Sequence, residues 1–448
     1  MPVDAISFPP GPRAPALAQT ARYVRDPVRA LERWADEHGD LFTIRLAAVG
    51  TFVFAAAPAE IRQIVTADPE HVQAGRAAGQ ILPIVGPQSV LTLDGQPHHR
   101  HRRMMLPPFH GERMAAYAEV MRDATLRGMA SWPRDTAFAL HPALRQIAVE
   151  VLLRTVFGIT SPARITAFAR LFSDLMDRWS SPLLPMLAFY GIDPMRLAPW
   201  LPVARKKLAL DRALHAEITA RRARVDPDAT DIFSLLLAAR DEHGEPLSPA
   251  ELRDELVTLM IAGHETSAAA LAWAVERIAV HPEVEARLRA ELATVTHGGV
   301  LDVAAVDKLP YLDAVVRETL RQRPILAFVA RRTTVPFEIG PYRVPAGTFL
   351  CPAIHLAHRR AASYPEPDQF RPERFLGTKP DPYAWLPFGG GGRRCLGIAF
   401  ALFEIKVILA TVLASATVRL EGGGPLPRAL LGITVAPARG TRVLTSPR

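Results

Sequence analysis

Apolar residues along this chain recur mostly at helical spacing, and three patches break that rhythm. Near the N-terminus, DPVRALERWADEHG offers Asp26 as a helix N-cap and Pro27 at the first helical position. LFTIRL and TFVFAA follow on either side of a glycine and predict a β-hairpin. A second extended patch, TTVPFEIGPYRVPAGTFLC, is rich in β-branched residues and broken by Gly and Pro; a third pairs ATVRLEGG with GTRVLTS. Between about Pro97 and Pro324 the periodicity is helical almost throughout. The longest helix is announced by SPAE, with Ser248 as N-cap, Pro249 next and Glu251 closing a capping box. It can run to the residue before Pro282, a length of ~45 Å. No repeat occurs, and strands do not alternate with helices as a parallel α/β sheet requires. The expectation is a mainly α fold with small β-sheets, one domain over 1–448, with about 1–20 as a flexible lead-in. The apolar, proline-rich Ser180–Lys207 stretch predicts a lid or entrance, not a tether.

Composition narrows this little: 49% hydrophobic and 22% charged residues are ordinary for a globular protein. Two cysteines, Cys351 and Cys395, exclude a disulfide framework and a CxxC-type zinc site, and point to a reducing compartment. The first residues lack the pattern of a signal peptide, and no stretch of 18 or more wholly apolar residues occurs. A cytoplasmic protein without a transmembrane anchor is expected. The net charge of +8 raises nucleic acid as a partner, but arginines are spread along the chain and aromatics make up only 7%. No nucleic-acid partner is expected.

The candidate chemistry begins at FGGGGRRCLG, Phe388–Gly397. Glycines give a cysteine no packing neighbours, but they allow unusual backbone angles and close approach of main-chain N–H groups. Amide donors, the start of the following helix and Arg393 would all stabilise a thiolate at Cys395. Such a thiolate suits a metal ligand or a nucleophile. The segment Phe388-x-x-Gly391-x-Arg393-x-Cys395-x-Gly397 resembles the haem-binding signature of the cytochrome P-450 family, with Gly389 inside it.

Three further motifs carry the same resemblance. IAGHETSAAALAW lies mid-way along the long helix, where Gly263 costs up to about 1 kcal/mol against Ala. A small-residue packing seam would explain it, as would a local opening of the hydrogen-bond ladder beside Thr266 and Glu265. A-G-x-E-T is similar to the family's oxygen-activating motif, with Glu265 where many members have Asp. ETLR, Glu318–Arg321, resembles the family's structural E-x-x-R, and Arg374 in PERF would be its third member. In DGQPHHRHRRMM, a basic face or an adventitious metal site by composition, His98 and Arg102 lie four apart. They resemble the pair that binds haem propionates, and Arg331 resembles another such arginine. The PPFHGERM and FGGGxRRC segments are similar to those of a cyanobacterial group linked to fatty acids and terpenoids.

The resemblance, from about Pro9 to Arg442, implies the cytochrome P-450 fold and a haem-thiolate monooxygenase. Haem b would take Cys395 as its axial ligand, and Thr266 and Glu265 would deliver protons. With the chain ending at Arg448, electrons would come from a separate ferredoxin or flavodoxin and its reductase, drawn to Arg394 and the Arg100–Arg103 region. By position, Ile84, Val85, Leu259, Ala262, Ile325, Leu326 and Leu430, with a lid near Leu183–Trp200, would face a hydrophobic substrate, and the protein would be a monomer. A peroxide-using relative, a haem-thiolate sensor and a basic nucleic-acid-binding protein are the competing readings.

Overall fold

The computed structural model describes residues 6–81, 84–109, 113–179, 187, 192, 200–224, 226, 228–297 and 300–447. Its axis is the helix Pro249–Ala279, started by the capping box of Ser248 and Glu251. Here the Ser248 side chain accepts from the Glu251 N–H while the Glu251 carboxylate accepts from the Ser248 N–H. Its residues from Ser267 to Ile278 are buried without interruption. A helix apolar all round has to be surrounded, and the helices Leu140–Thr155, Pro202–Ala223, Pro310–Gln322 and Ile398–Ser415 pack on it. Trp273 is fully buried there, with its indole N–H donating to the Val435 carbonyl at 3.0 Å.

The helix Ile398–Ser415 qualifies the expectation of no membrane-length segment. It is long and apolar enough to cross a membrane, with mean hydropathy 2.1. In this fold it is a core helix: Val407, Ile408, Leu409 and Ala410 are fully buried, and its Lys406 pairs with Asp307.

The expected hairpin forms, with Leu41–Leu46 antiparallel to Gly50–Ala55. The sheet then grows in a way the local pattern did not show. Phe349–Pro352 adds parallel to Gly50–Ala55, and Arg331–Thr333 and Val72–Gln73 extend it to five strands. Phe42, Phe52, Phe54, Phe349 and Cys351 form one buried face over Trp34. Cys351 is wholly buried, and burial pushes its thiol well above the usual range. Ala416–Leu420 pairs with Arg442–Pro447, and Arg428–Leu431 with Thr434–Pro437. The lead-in is tied down from residue 7 on: the Ser7 N–H donates to the Arg343 carbonyl, and Ala16–Arg25 is helical. The buried Gln19 amide donates to the Pro12 and Ala14 carbonyls and its oxygen accepts from the Arg45 N–H.

Beneath the sheet, Glu318 and Arg321 are sealed from solvent. Arg321 grips Glu318 with Nε at 2.6 Å and Nη2 at 2.8 Å, and donates to the His358 and Pro367 carbonyls. Arg374 stands 3.5 Å from the same carboxylate, which also accepts from the Arg371 N–H. His358 donates from Nδ1 to the Arg321 carbonyl and accepts the Leu386 N–H at Nε2. Burial and the Arg321 charge hold it neutral, with a pKa of about 3. The network therefore fixes the chain two residues before Phe388. Arg321→Ala strands a buried carboxylate and should cost ~3–5 kcal/mol. Arg33→Ala, at the exposed Arg33–Glu37 pair, should leave stability close to wild type. Urea unfolding of both variants measures the contrast.

Candidate active site

The Cys395 N–H donates to the Phe388 carbonyl at 2.9 Å and closes the glycine-rich segment into a loop. Gly389 and Gly391 take left-handed angles, φ 67° and 64°. At Gly391 a Cβ would stand 1.9 Å from the Val65 carbonyl oxygen, so only glycine lets the loop rest on the helix Pro58–Val65. At Gly392 and Gly397 a Cβ would meet nothing within 4 Å. Gly397 lies beside the sulfur, and that space admits a flat group on the backbone.

Cys395 is accessible, yet burial by the surrounding protein pushes its thiol upward, against the pull of the Gly397 N–H, Arg102 and Arg394. The expected donors are present but do not by themselves lower its pKa. A metal cation held by the sulfur would supply the missing charge, since a coordinated thiol deprotonates outright. Around it, positive groups crowd one another. His98 is brought down to about 3 by burial and by Arg393, His99 and Arg102. Arg331 is brought down to about 10 by burial and Arg393, and Arg102 and Arg393 are lowered chiefly by burial. Asp94 is the carboxylate that offsets Arg331 and Arg393. Arg393 pairs with it and donates to the Val90 and Leu93 carbonyls. Three guanidiniums answered by one carboxylate, beside an accessible thiol, fit a dianionic porphyrin whose iron takes the sulfur.

Arg331 has a second duty that the sequence did not show. Its Nη2 donates to the Gly390 carbonyl at 2.9 Å, and its Nη1 to the Ile64 and Val65 carbonyls at 3.3 Å. It is a strut that clamps the cysteine loop to the Pro58–Val65 helix.

On the central helix, Leu259, Ala262, Gly263 and Thr266 stay accessible while most of their neighbours are buried. Their i, i+3, i+4, i+7 spacing puts them on one face, which the packing around the helix leaves uncovered. The expected opening of the hydrogen-bond ladder at Gly263 is not found. Helix is continuous over Pro249–Ala279, and the Thr266 hydroxyl donates to the Ala262 carbonyl at 2.5 Å. The glycine is explained by packing: a Cβ would stand 2.8 Å from a Leu152 methyl. Glu265 does not face its neighbour's hydroxyl either. Its Oε1 lies 3.0 Å from His141 Nε2, with Arg145 at 3.8 Å and His264 at 3.9 Å. Burial pushes its carboxyl up, but His141, His264 and Arg145 outweigh that and hold it low.

Of the expected substrate-facing residues, Ile84 and Val85 are packed into the core, 1% and 0% exposed, and belong to no accessible wall. They sit in a segment pinned to the central helix, where Asp254 accepts from the Gln88 N–H and Ser89 meets Thr258. Leu430 points outward on its hairpin, 47% exposed. Ile325 is mostly buried, and its carbonyl accepts the Val435 N–H; Leu326 is half-buried against the sheet. The lid region Leu183–Trp200 lies outside the described residues except for Leu187, Ile192 and Trp200, the last 73% exposed. Arg100 and Arg103 are engaged by Asp241, Glu251 and Glu242, and do not form a free basic face.

One titratable group near the site was missed altogether. Glu404, wholly buried on the Ile398–Ser415 helix, accepts the Ser267 hydroxyl at 2.5 Å. Burial pushes its carboxyl up to about 8, so it carries its proton at neutral pH. Its place in an apolar run was the available signal, since an acid there must be paired or neutral.

Known proteins resemble this chain over nearly its whole length. The family described as Cytochrome P-450 matches residues 9–441. A protein of Mycobacterium tuberculosis described as cytochrome P-450 135B1 is 36% identical over 446 residues, covering 98% of this chain and 92% of the relative. One described as cytochrome P-450 138, from the same species, is 35% identical over 443 residues, covering 98% and 96%. The solved structure of a retinoic-acid-bound cyanobacterial protein, CYP120A1, superposes with a TM-score of 0.86 at 25% identity, over 99% of this chain and 100% of that one.

Gly391→Ala should lower the melting temperature and increase the reactivity of Cys395 toward a thiol reagent, whereas Gly392→Ala should leave both near wild type. Differential scanning fluorimetry and thiol titration of the pair measure this. The buried acid gives a pH test with a definite sign. Because the folded pKa of Glu404 lies above the unfolded one, its cost is absent at low pH and grows as pH rises through about 8. Glu404→Gln should therefore gain melting temperature on the wild type with rising pH, as a thermal-melt series will show.

Proposed function

The chain belongs to the cytochrome P-450 family, and from that premise we propose that it is a haem-thiolate monooxygenase acting on an extended, apolar small molecule. The observation that carries the reading is the accessible sulfur of Cys395, with Arg102, Arg331 and Arg393 converging on its loop around one carboxylate. Cys395 would hold the iron of haem b, and Arg102, Arg393 and the neutral His98 would face the propionates. When bound, the haem supplies reductive activation of dioxygen. The reaction balances as substrate, dioxygen, two electrons and two protons giving the hydroxylated product and water.

The residues of this chain have separable tasks in that scheme. Leu259 and Ala262 give that face of the central helix an apolar surface that favours a hydrophobic substrate and excludes water. The Thr266 hydroxyl, now spent on the Ala262 carbonyl, can turn to hold a water or a proton at Oγ1. Glu265 is charged and linked through Arg145 to the half-exposed side of the fold, where Arg145 lies 3.5 Å from Asp177. Turned to His141 in this structure, Glu265 would have to swing toward Thr266 to act as a proton carrier. Electrons come from a separate ferredoxin or flavodoxin with its reductase. Exposed Arg394, which has no ion pair among the described residues, is the cation on the cysteine loop for an acidic partner. A fatty acid or terpenoid is the substrate class we favour, in keeping with the retinoic acid named for the cyanobacterial structure.

A spin-state screen of fatty acids, terpenes, steroids and polyketides identifies the ligand. Ferrous carbonyl spectra then test the thiolate: Cys395→His should abolish the thiolate-type band, and its survival would overturn the assignment. Thr266→Ala should fold and bind haem, yet turn reducing equivalents into peroxide at the expense of product. Unchanged product yield per electron would remove Thr266 from proton delivery, and absence of any turnover in the wild type would favour a sensor.

A further inference from the structure

The three histidines of the helix Gly95–Met105 go to three different places. His98 lies among the arginines of the site, His99 is exposed, and His101 is buried against the central helix. Both ring nitrogens of His101 meet carboxylate oxygens: Nδ1 lies 2.7 Å from Glu255 and Nε2 lies 3.1 Å from Glu251. A neutral imidazole owns one N–H and would turn a lone pair toward one of these oxygens. With both carboxylates ionised the arrangement calls for two donors, which is the imidazolium; burial pushes the Glu255 carboxyl up, and His101 and the Val90 N–H pull against that.

We propose that His101, as an imidazolium, positions the histidine-rich helix against the central helix and, through Val90, sets the cysteine-loop arginine Arg393. The path is short. Glu255, with no solvent exposure, accepts both His101 Nδ1–H and the Val90 N–H at 2.8 Å. The Val90 carbonyl accepts from Arg393 Nη1 at 3.1 Å. The other Glu255 oxygen is buried without a hydrogen-bond partner, so the carboxylate depends on His101 for its compensation. The remaining charges nearby are committed: Arg100 to Asp241 and Glu251, and Asp254 to Arg253. Burial disfavours the charged ring, but Glu255 and Glu251 outweigh it and raise the His101 pKa. Its contribution is therefore complete below the unfolded value of about 6.5 and is lost as pH rises through the folded one.

This inference rests on the reading that His98 and Arg102 face haem propionates, and the experiment separates the two. Haem-loaded wild type, His101→Gln and Glu255→Gln would be compared from about pH 6 to about pH 9, following hydrogen exchange in the segment around Val90 and haem transfer to apomyoglobin. In wild type, protection at Val90, corrected for intrinsic exchange, should fall as the imidazolium titrates. In both variants it should already be about tenfold lower at the acid end and show no such step. Haem loss should follow the same pattern. If Val90 opens in the variants but haem loss stays at the wild-type rate, the positioning role stands and the propionate reading fails. If Val90 protection and its pH step are the same in wild type and His101→Gln, the proposal is overturned.

Discussion

A carboxylate and a guanidinium sealed away from water, Glu318 and Arg321, are the constraint on which the cysteine side of the molecule rests. Their desolvation is costly and is offset only if every remaining donor finds an acceptor. Arg321 finds them in carbonyls of segments distant in sequence, at His358 and Pro367. Satisfying one ion pair therefore fixes where those segments run. His358 passes the constraint to Leu386, and from there the chain has only to turn through the glycines to reach Cys395.

The opposite condition holds on the inner face of that loop. Arg102, Arg331 and Arg393 depress one another or are depressed by burial, and Asp94 cannot balance them all. A folded protein tolerates such an imbalance where a ligand brings the missing charge. Proximal rigidity and electrostatic demand thus come from separate networks that meet at the cysteine loop, and Arg331 belongs to both through its bond to the Gly390 carbonyl.

Much of this was legible in the amino-acid sequence because it is written locally. The Ser248–Glu251 capping box, the hairpin around Gly50 and the glycine-flanked Cys395 each depend on residues within a few positions of one another. What depends on distant partners was not legible. Nothing local says that Phe349–Pro352 lies parallel to Gly50–Ala55, or that Glu265 turns to His141 on another helix. Gly263 shows the limit most clearly. Its neighbours suggested a distorted helix, whereas the cause is the Leu152 side chain, more than a hundred residues away in sequence. Ile84 and Val85 were expected to face substrate from their position in the family resemblance, and in this fold they are packed into the core.

Two cysteines in such different settings have a practical corollary. Cys351 is walled into a sheet face of stacked phenylalanines, with Phe52 and Phe349 4.5 Å apart between ring centroids. Cys395 stands open at the end of a loop whose glycines leave its surroundings clear. To a thiol reagent in solution the folded chain offers one accessible thiol, Cys395, and that thiol is the one proposed above to hold the iron. With Cys395 in that role, counting reactive thiols per folded chain would assay cofactor occupancy without relying on light absorption by the cofactor itself.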